Sequence, residues 1–401
     1  MNFVIVSPLF YPQKNAEAYC ATRFASALAN AGHEVWVITD EYHVESEEGG
    51  FEKLVHPELH IVRIPNVPPV NEKWPYFSLR CMMVLESDTR KVLPYVVEVR
   101  KVLKCLVRPI LITRSYPWFS VCVGWRCRQY ATKWIQHFSD PMLDWDPWCN
   151  LAYFRMLSLR FWMKRVMRYA DAVSITCKRV QWFYREKVGA CVDEAHFILA
   201  THIGDFKLTD RSHMARSFNG IIFHDGDIYG GRGMQIIDAV GRLNAKGIKC
   251  EFIQGRPVAD VRDRQKILSS PYCSIIEDDV AVELRDKALR SQISFVADFN
   301  EEGLAYSVHL MSKFVYQLFT DKPIVVLSKL ESEKHDYCVR FPTAGLFFAD
   351  MAIPESLDAA IEAALAVDPN TIDRCAIRQE FSGEKIASVF VEEIERLKLK
   401  K

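Results

Sequence analysis

The chain has 401 residues, 49% apolar and 25% charged, with as many acids as bases. That length predicts two or three domains with a sizeable core, and a net charge of zero argues against a nucleic-acid binder. No apolar run reaches the roughly 18 residues that span a bilayer.

The charge is unevenly placed. From Glu72 to Lys187 there are 21 Lys and Arg against 9 Asp and Glu, a net +12 that the remainder offsets. The twelve cysteines form no C-x-x-C pair and no Cys/His cluster of zinc spacing. Met1-Asn-Phe-Val-Ile-Val enters a strand at once, so no secretory leader is expected. The cysteines then read as reduced thiols of a cytoplasmic protein.

In chain order, Phe3–Val6 predicts a strand, Pro8–Asn15 a loop, Ala16–Ala31 a helix and Glu34–Thr39 a second strand. Gly32 falls where a left-handed helix stop needs it. Further strands are expected at Ile61–Ile64, Ile110–Thr113, Trp134–Phe138, Ala172–Ile175 and Phe197–Ala200, with helical patterns between most of them. Thr201–Asn219 is polar and aperiodic, a linker. A second series follows at Gly220–His224, Cys250–Gln254, Cys273–Ile276, Ile293–Ala297 and Ile324–Leu327. A last helix is expected over Gln379–Lys398, its start blurred by Phe381-Ser-Gly. Strands alternating with helices predict an α/β protein with doubly wound parallel sheets. The expected domains are 1–205, 206–378 and a terminal helix, 379–401, packing back toward the first. The loop Ser7-Pro-Leu-Phe-Tyr-Pro-Gln-Lys14 lacks G-x-G-x-x-G, as does the first turn of the second series, which argues against a Rossmann-type NAD enzyme.

The most informative stretch is Ser312-Lys-Phe-Val-Tyr-Gln-Leu-Phe-Thr-Asp-Lys-Pro-Ile-Val-Val-Leu-Ser328. Ser312 reads as a helix cap with Lys313 beside it, then a short amphipathic helix. Pro323 stops that helix before a strand buried on both faces. A helix start with a serine and a lysine suits a phosphate. This spacing resembles the donor-site helix of GT-B glycosyltransferases, in particular the family 4-like (group 1) enzymes of bacterial polysaccharide and glycan assembly. Ala27-Leu-Ala-Asn-Ala-Gly-His-Glu-Val-Trp-Val-Ile-Thr39 resembles that family's opening, and Phe223-His-Asp-Gly-Asp-Ile-Tyr-Gly-Gly-Arg-Gly-Met-Gln-Ile-Ile-Asp-Ala239 its second strand–loop–helix.

The resemblance implies a GT-B fold: two Rossmann-like parallel-sheet domains with an interdomain cleft. It also implies sugar transfer from a nucleotide-diphosphate donor to a glycan or lipid-linked acceptor, with retention. Arg232 then stands where members hold a diphosphate, and Gly226 and Gly255 where a side chain would crowd the nucleotide. Asp227 replaces a second basic residue common in the family. Tyr316 and Val308 replace its Glu-x7-Glu carboxylates, for which Glu301 or Glu302 could substitute. Glu277-Asp-Asp279 falls where the base usually lies. His137-Phe-Ser-Asp-Pro141 is similar to a family segment; Asp140 reads as an acceptor or sugar contact, or equally as an Asp-Pro turn, and His137 as a satisfied core histidine. Expected catalytic residues are Asp140, Arg232 and Lys313; expected donor contacts are Gly226, Arg232, Gly255, Ser312, Lys313, Tyr316, Glu301 and Glu302. No metal or other cofactor is expected. Two alternatives stay open, a sugar-nucleotide epimerase of the same fold and a non-catalytic GT-B-like subunit.

Leu151–Tyr169 holds Arg155, Arg160, Lys164, Arg165 and Arg168, no acid, and many bulky apolar residues. Part of it must be core. Its cations beside Phe161 and Trp162 also suit an anionic membrane surface or a lipid-diphosphate acceptor. The expected location is the cytoplasm, peripheral at the inner face of the membrane.

Overall fold

The computed structural model describes residues 1–42, 51–65, 91–141, 152–204, 219–228, 230–276, 287–288, 290–299 and 303–397. Glu277-Asp-Asp279, Glu301 and Glu302 lie outside the described residues. The chain divides into two units, one formed by Met1–Ile203 with the terminal segment from Ser382, the other by Gly204–Phe381.

In the first unit the strands are β1 (Asn2–Val6), β2 (Glu34–Asp40), β3 (His60–Ile64), β4 (Ile110–Ser115), β5 (Lys133–Phe138), β6 (Ala172–Ile175) and β7 (Phe197–Leu199). They form one sheet in the order β3-β2-β1-β4-β5-β6-β7, every pair parallel. The helices are α1 (Ala16–Asn30), α2 (Val92–Cys105), α3 (Phe119–Cys127), α4 (Ala152–Tyr169) and α5 (Arg179–Val188). Asn15 caps α1 by accepting from the Ala18 N–H, and Gly32 takes φ +79° just past its end. Along α4, Leu159, Met163, Val166 and Met167 are buried while Arg160, Phe161, Lys164 and Arg168 are exposed. The helix is thus core on one face and cationic on the other. No helix among the described residues is long and apolar enough to cross a membrane.

The second unit holds β8 (Ile221–His224), β9 (Glu251–Gln254), β10 (Cys273–Ile275), β11 (Ile293–Ala297), β12 (Ile324–Ser328) and β13 (Leu346–Asp350). Their order is β10-β9-β8-β11-β12-β13, again all parallel. Around them lie α6 (Gln235–Ala245), α7 (Val261–Leu268), α8 (Ser312–Gln317), α9 (Glu333–Arg340), α10 (Pro354–Ala366) and α11 (Cys375–Glu380). β11 and β12 are buried along their whole length, as apolar runs covered on both faces must be. Ile222, Phe252, Phe295 and Val325 form the core with Val240 of α6 and Ile361 of α10.

The expected last helix is two. After α11 the chain breaks at Phe381, a residue fully buried in the second unit, and resumes as α12 (Gly383–Arg396) in the first. Ser382 forces the break, because its extended backbone lets its hydroxyl cap the Lys385 N–H. α12 lays Phe390 edge-on against Phe24 of α1, ring centroids 5.0 Å apart. Lys133 holds its far end by donating to the Ile394 and Leu397 carbonyls.

Candidate functional site

In each sheet the strand order reverses direction once, between β1 and β4 and between β8 and β11. Open parallel sheets bind ligands at the carboxyl ends beside such a reversal. At the second reversal, β8 leads into Asp225–Gly233 and β11 into Asp298.

Arg232 bridges the two strand ends. Its Nε donates to the Ala297 carbonyl at 2.7 Å, its guanidinium meets the Met311 Sδ, and its Cζ lies 4.6 Å from the Phe299 ring centre. Three neighbouring glycines make this possible: Gly230, Gly231 and Gly233 have φ of +60°, +72° and +71°. A Cβ on Gly233 would also stand 2.9 Å from that of Ala297. Arg232 is therefore a buried residue of the loop rather than a solvated first-turn residue of α6.

Lys313 reaches the same region from α8. Its Nζ lies 3.7 Å from Asp227 Oδ2. Arg256 contributes a further cation, 3.8 Å from Asp225 and 4.0 Å from Asp227. Burial pulls the Lys313 amine down to about 8; Asp227 opposes that, and Arg256 and Arg232 reinforce it. Arg256 and Lys313 thus face two acids, with Arg232 close enough to act on the Lys313 amine, an arrangement able to exchange a carboxylate partner for a phosphate.

His224 and Gln254 buttress the loop. The Gln254 amide N–H groups are committed to the Gly226 and Arg256 carbonyls, so its Oε1 must accept from His224 Nδ1, 3.0 Å away. Burial first, then Arg232, lowers His224 to about 3, and the ring is neutral at neutral pH. A Cβ on Gly226 would sit 2.4 Å from His224 Nε2, and one on Gly255 would sit 2.7 Å from the Phe223 ring. Both glycines are required here by the protein's own packing, a reason the sequence reading did not contain.

Ser312 is not the cap of α8. Met311 is the N-cap, with ψ 138°, and its carbonyl accepts from Phe314 N; Ser312 is the first helical residue. Tyr316 lies on the same helix, half-buried. The far end of α8 is held by Arg374, which donates to the Gln317, Thr320 and Lys322 carbonyls, and by Arg378, which donates to that of Leu318.

The sequence reading missed a fully buried ion pair. Lys334 Nζ is 2.6 Å from Asp298 Oδ1, both side chains fully buried. Asp298 Oδ2 accepts from the Ser307 hydroxyl at 2.9 Å and from that of Ser328, and Lys334 also donates to the His309 carbonyl at 2.7 Å. An acid directly after the apolar run Ile293–Ala297 was a visible signal; Lys334 gave none.

Asp140 belongs to the first unit, exposed, two residues beyond β5. Beside it, buried Arg114 pairs with Glu17 at 2.8 Å and donates to the Ser139 hydroxyl at 3.1 Å. His137 is fully buried against the Ser174 hydroxyl at 2.9 Å; burial, then Arg114 and His202, holds it well below the usual imidazole range. It is a core histidine. Among the described residues no three His, Cys, Asp or Glu side chains are grouped as a metal site.

Residues 17–198 match the glycosyl transferase 4-like domain. Among solved structures, sucrose-phosphate synthase from Thermosynechococcus elongatus superposes with a TM-score of 0.67 at 15% identity, covering 99% of this chain and 98% of that one. The E. coli trehalose-6-phosphate protein bound with UDP-2-fluoro glucose superposes at 0.61 and 9% identity over the whole of both chains. The catalytic domain of starch synthase IV from Arabidopsis thaliana, bound to ADP and acarbose, gives 0.61 at 11%, covering 98% of this chain and 99% of that one. At these identities the structural likeness is one of fold. No curated protein matches the sequence.

Proposed function

We propose that the chain, whose residues 17–198 match the glycosyl transferase 4-like domain and whose fold is shared with GT-B enzymes, is a family 4-like glycosyltransferase that moves a sugar from a nucleotide-diphosphate donor to a glycan or lipid-linked acceptor. The observation that carries the donor half is the convergence of Arg232, Lys313 and Arg256 at the β8/β11 reversal, where Asp225 and Asp227 lie beside Arg256 and Lys313 as counter-charge. As the bond from the anomeric carbon to the diphosphate breaks, negative charge grows on the leaving oxygen. Preorganised cations lower the energy of that state more than that of the bound donor. In this reading Arg232 and Lys313 stabilise the departing diphosphate without a metal, and the anomeric configuration is retained. Ser312, Gly226, Gly255 and Tyr316 line the nucleotide, Glu301 or Glu302 holds the ribose, and Asp140 contacts the acceptor or transferred sugar. The protein works in the cytoplasm, and the cationic face of α4 rests on an anionic membrane.

Incubation of the purified chain with UDP-, ADP- and GDP-sugars tests the reading. Slow release of free sugar and nucleoside diphosphate supports transfer. A new sugar nucleotide would indicate an epimerase, and neither turnover nor binding would indicate a non-catalytic subunit.

A further inference from the structure

We propose that the Asp298–Lys334 ion pair is the positioning element of the donor site, fixing the segment Tyr306–Met311 so that Met311 meets Arg232 and α8 presents Lys313. The inference rests on the reading of Arg232 and Lys313 as diphosphate ligands. Neither Asp298 nor Lys334 is assigned a contact with the donor; they act through residues that are.

The pair joins four pieces of chain. Asp298 stands at the end of β11, directly after the Ala297 carbonyl that takes Arg232 Nε. Ser328, its hydroxyl on Asp298, ends β12, and Lys334 lies in the first turn of α9. The fourth piece is the segment itself, held through the Ser307 hydroxyl and the His309 carbonyl. The same stretch is pinned elsewhere: Ser307 N donates to the Glu331 carbonyl at 2.9 Å, and Lys329 Nζ to that of Leu304 at 2.7 Å. Tyr306 and Glu331 form an isolated parallel bridge. Two residues past His309 comes Met311, whose sulfur touches the Arg232 guanidinium, and two further comes Lys313.

A fully buried ion pair is seldom the most stable filling for a core, since apolar side chains of like volume often do as well. Apolar filling would not fix register. Directional hydrogen bonds from two hydroxyls to one carboxylate oxygen, and from the ammonium to a carbonyl, do so in an otherwise irregular segment, with the ion pair tying the two sets together. Both cations depend on that register, one through Met311 and the other through the start of α8.

The test uses the full chain as wild type, Lys334→Met, the double variant Asp298→Asn/Lys334→Met, and Ser307→Ala. Each is followed by hydrogen–deuterium exchange and by calorimetry with UDP, ADP and GDP. Exchange should quicken in peptides covering 303–317 while β8 and β9 stay protected. Affinity for the nucleotide that wild type binds should fall about tenfold in the double variant, a change of about 1.4 kcal/mol, and less in Ser307→Ala. If Lys334→Met does not fold, the other two variants decide, because neither leaves a charge unpaired. Unchanged exchange at 303–317, loosening spread evenly over the second sheet, or wild-type affinity with a loosened segment would each overturn the proposal. Should wild type bind none of the nucleotides, the diphosphate reading fails, and the exchange result alone upholds or overturns the positioning of this segment.

Discussion

Lys313 Nζ stands 3.7 Å from Asp227 Oδ2, an ammonium matched with a carboxylate where the family resemblance implies a second cation. The amine titrates at about 8 because burial penalises its charged form more than Asp227 favours it. It is cationic below that value and neutral above it. A bound diphosphate favours the cation, so affinity is full below about 8 and declines as pH rises through it. Calorimetry with the bound nucleoside diphosphate between about pH 7 and about pH 9.5 reads this directly. Asp227→Asn should tighten binding at neutral pH, by a few tenths to about 1 kcal/mol, because it removes a repelling charge from a half-exposed site. It should also move the midpoint lower. A flat profile would remove Lys313 from the site.

On the proposed reading, Arg232→Ala deletes a guanidinium whose charge-assisted bonds to phosphate would contribute roughly 1.5–3 kcal/mol each. Nucleoside-diphosphate affinity should drop accordingly, with the fold verified by circular dichroism. Lys313→Ala should weaken binding in the same direction, and the double variant should lose less than the sum if both cations touch one diphosphate. Strict additivity would assign them to separate sites.

If Arg232 and Lys313 neutralise the departing diphosphate as proposed, no step needs a divalent ion. Donor turnover should therefore persist in excess EDTA. Complete loss, with recovery on adding magnesium or manganese, would contradict the proposed mechanism.

The sheets were legible because parallel strands buried on both faces leave continuous apolar runs: Ile293–Ala297 and Ala172–Ile175 match β11 and β6 residue for residue. β13 went unassigned although Leu346-Phe-Phe-Ala follows Gly345, whose φ is +65°. Arg232 and Lys313 were marked by local motifs. The support beneath them was not, because Asp298 and Lys334 lie far apart in sequence and a buried lysine looks like any surface one. The Ser312 cap failed for a local reason: the chain turns at Met311, one residue earlier than a serine suggests.

Gly226 offers a test of packing without charge. A methyl group there would displace the His224 ring, which its bond to Gln254 and its edge-on contact with Phe295, at 5.7 Å, hold in place. Gly226→Ala should cost about 1–3 kcal/mol, the usual range for overpacking, seen as a lowered midpoint in denaturant unfolding. A midpoint unchanged from wild type would mean that the ring has room to move.

The last prediction concerns α4. Its exposed face carries Arg160, Phe161, Lys164 and Arg168, with Phe161 51% exposed. Arg165 lies among aromatics, its Cζ 4.2 Å from the Phe161 ring centre and 5.1 Å from that of Trp125; Arg128 lies 3.5 Å over the same Trp125. The rings and cations form one patch, able to set aromatics at the headgroup level while the charges meet anionic lipid. The chain should therefore sediment with anionic vesicles in preference to neutral ones, and the preference should weaken as salt shortens the screening length. Lys164→Gln with Arg168→Gln should reduce vesicle binding at about 1 kcal/mol per cation while leaving nucleotide affinity unchanged, since the donor residues belong to the other unit. Adding Arg165→Gln should also lower thermal stability, because that side chain supports the aromatics it covers. Equal sedimentation with neutral and anionic vesicles at low salt would sink the membrane reading and turn the charge excess toward an acidic glycan or a protein partner.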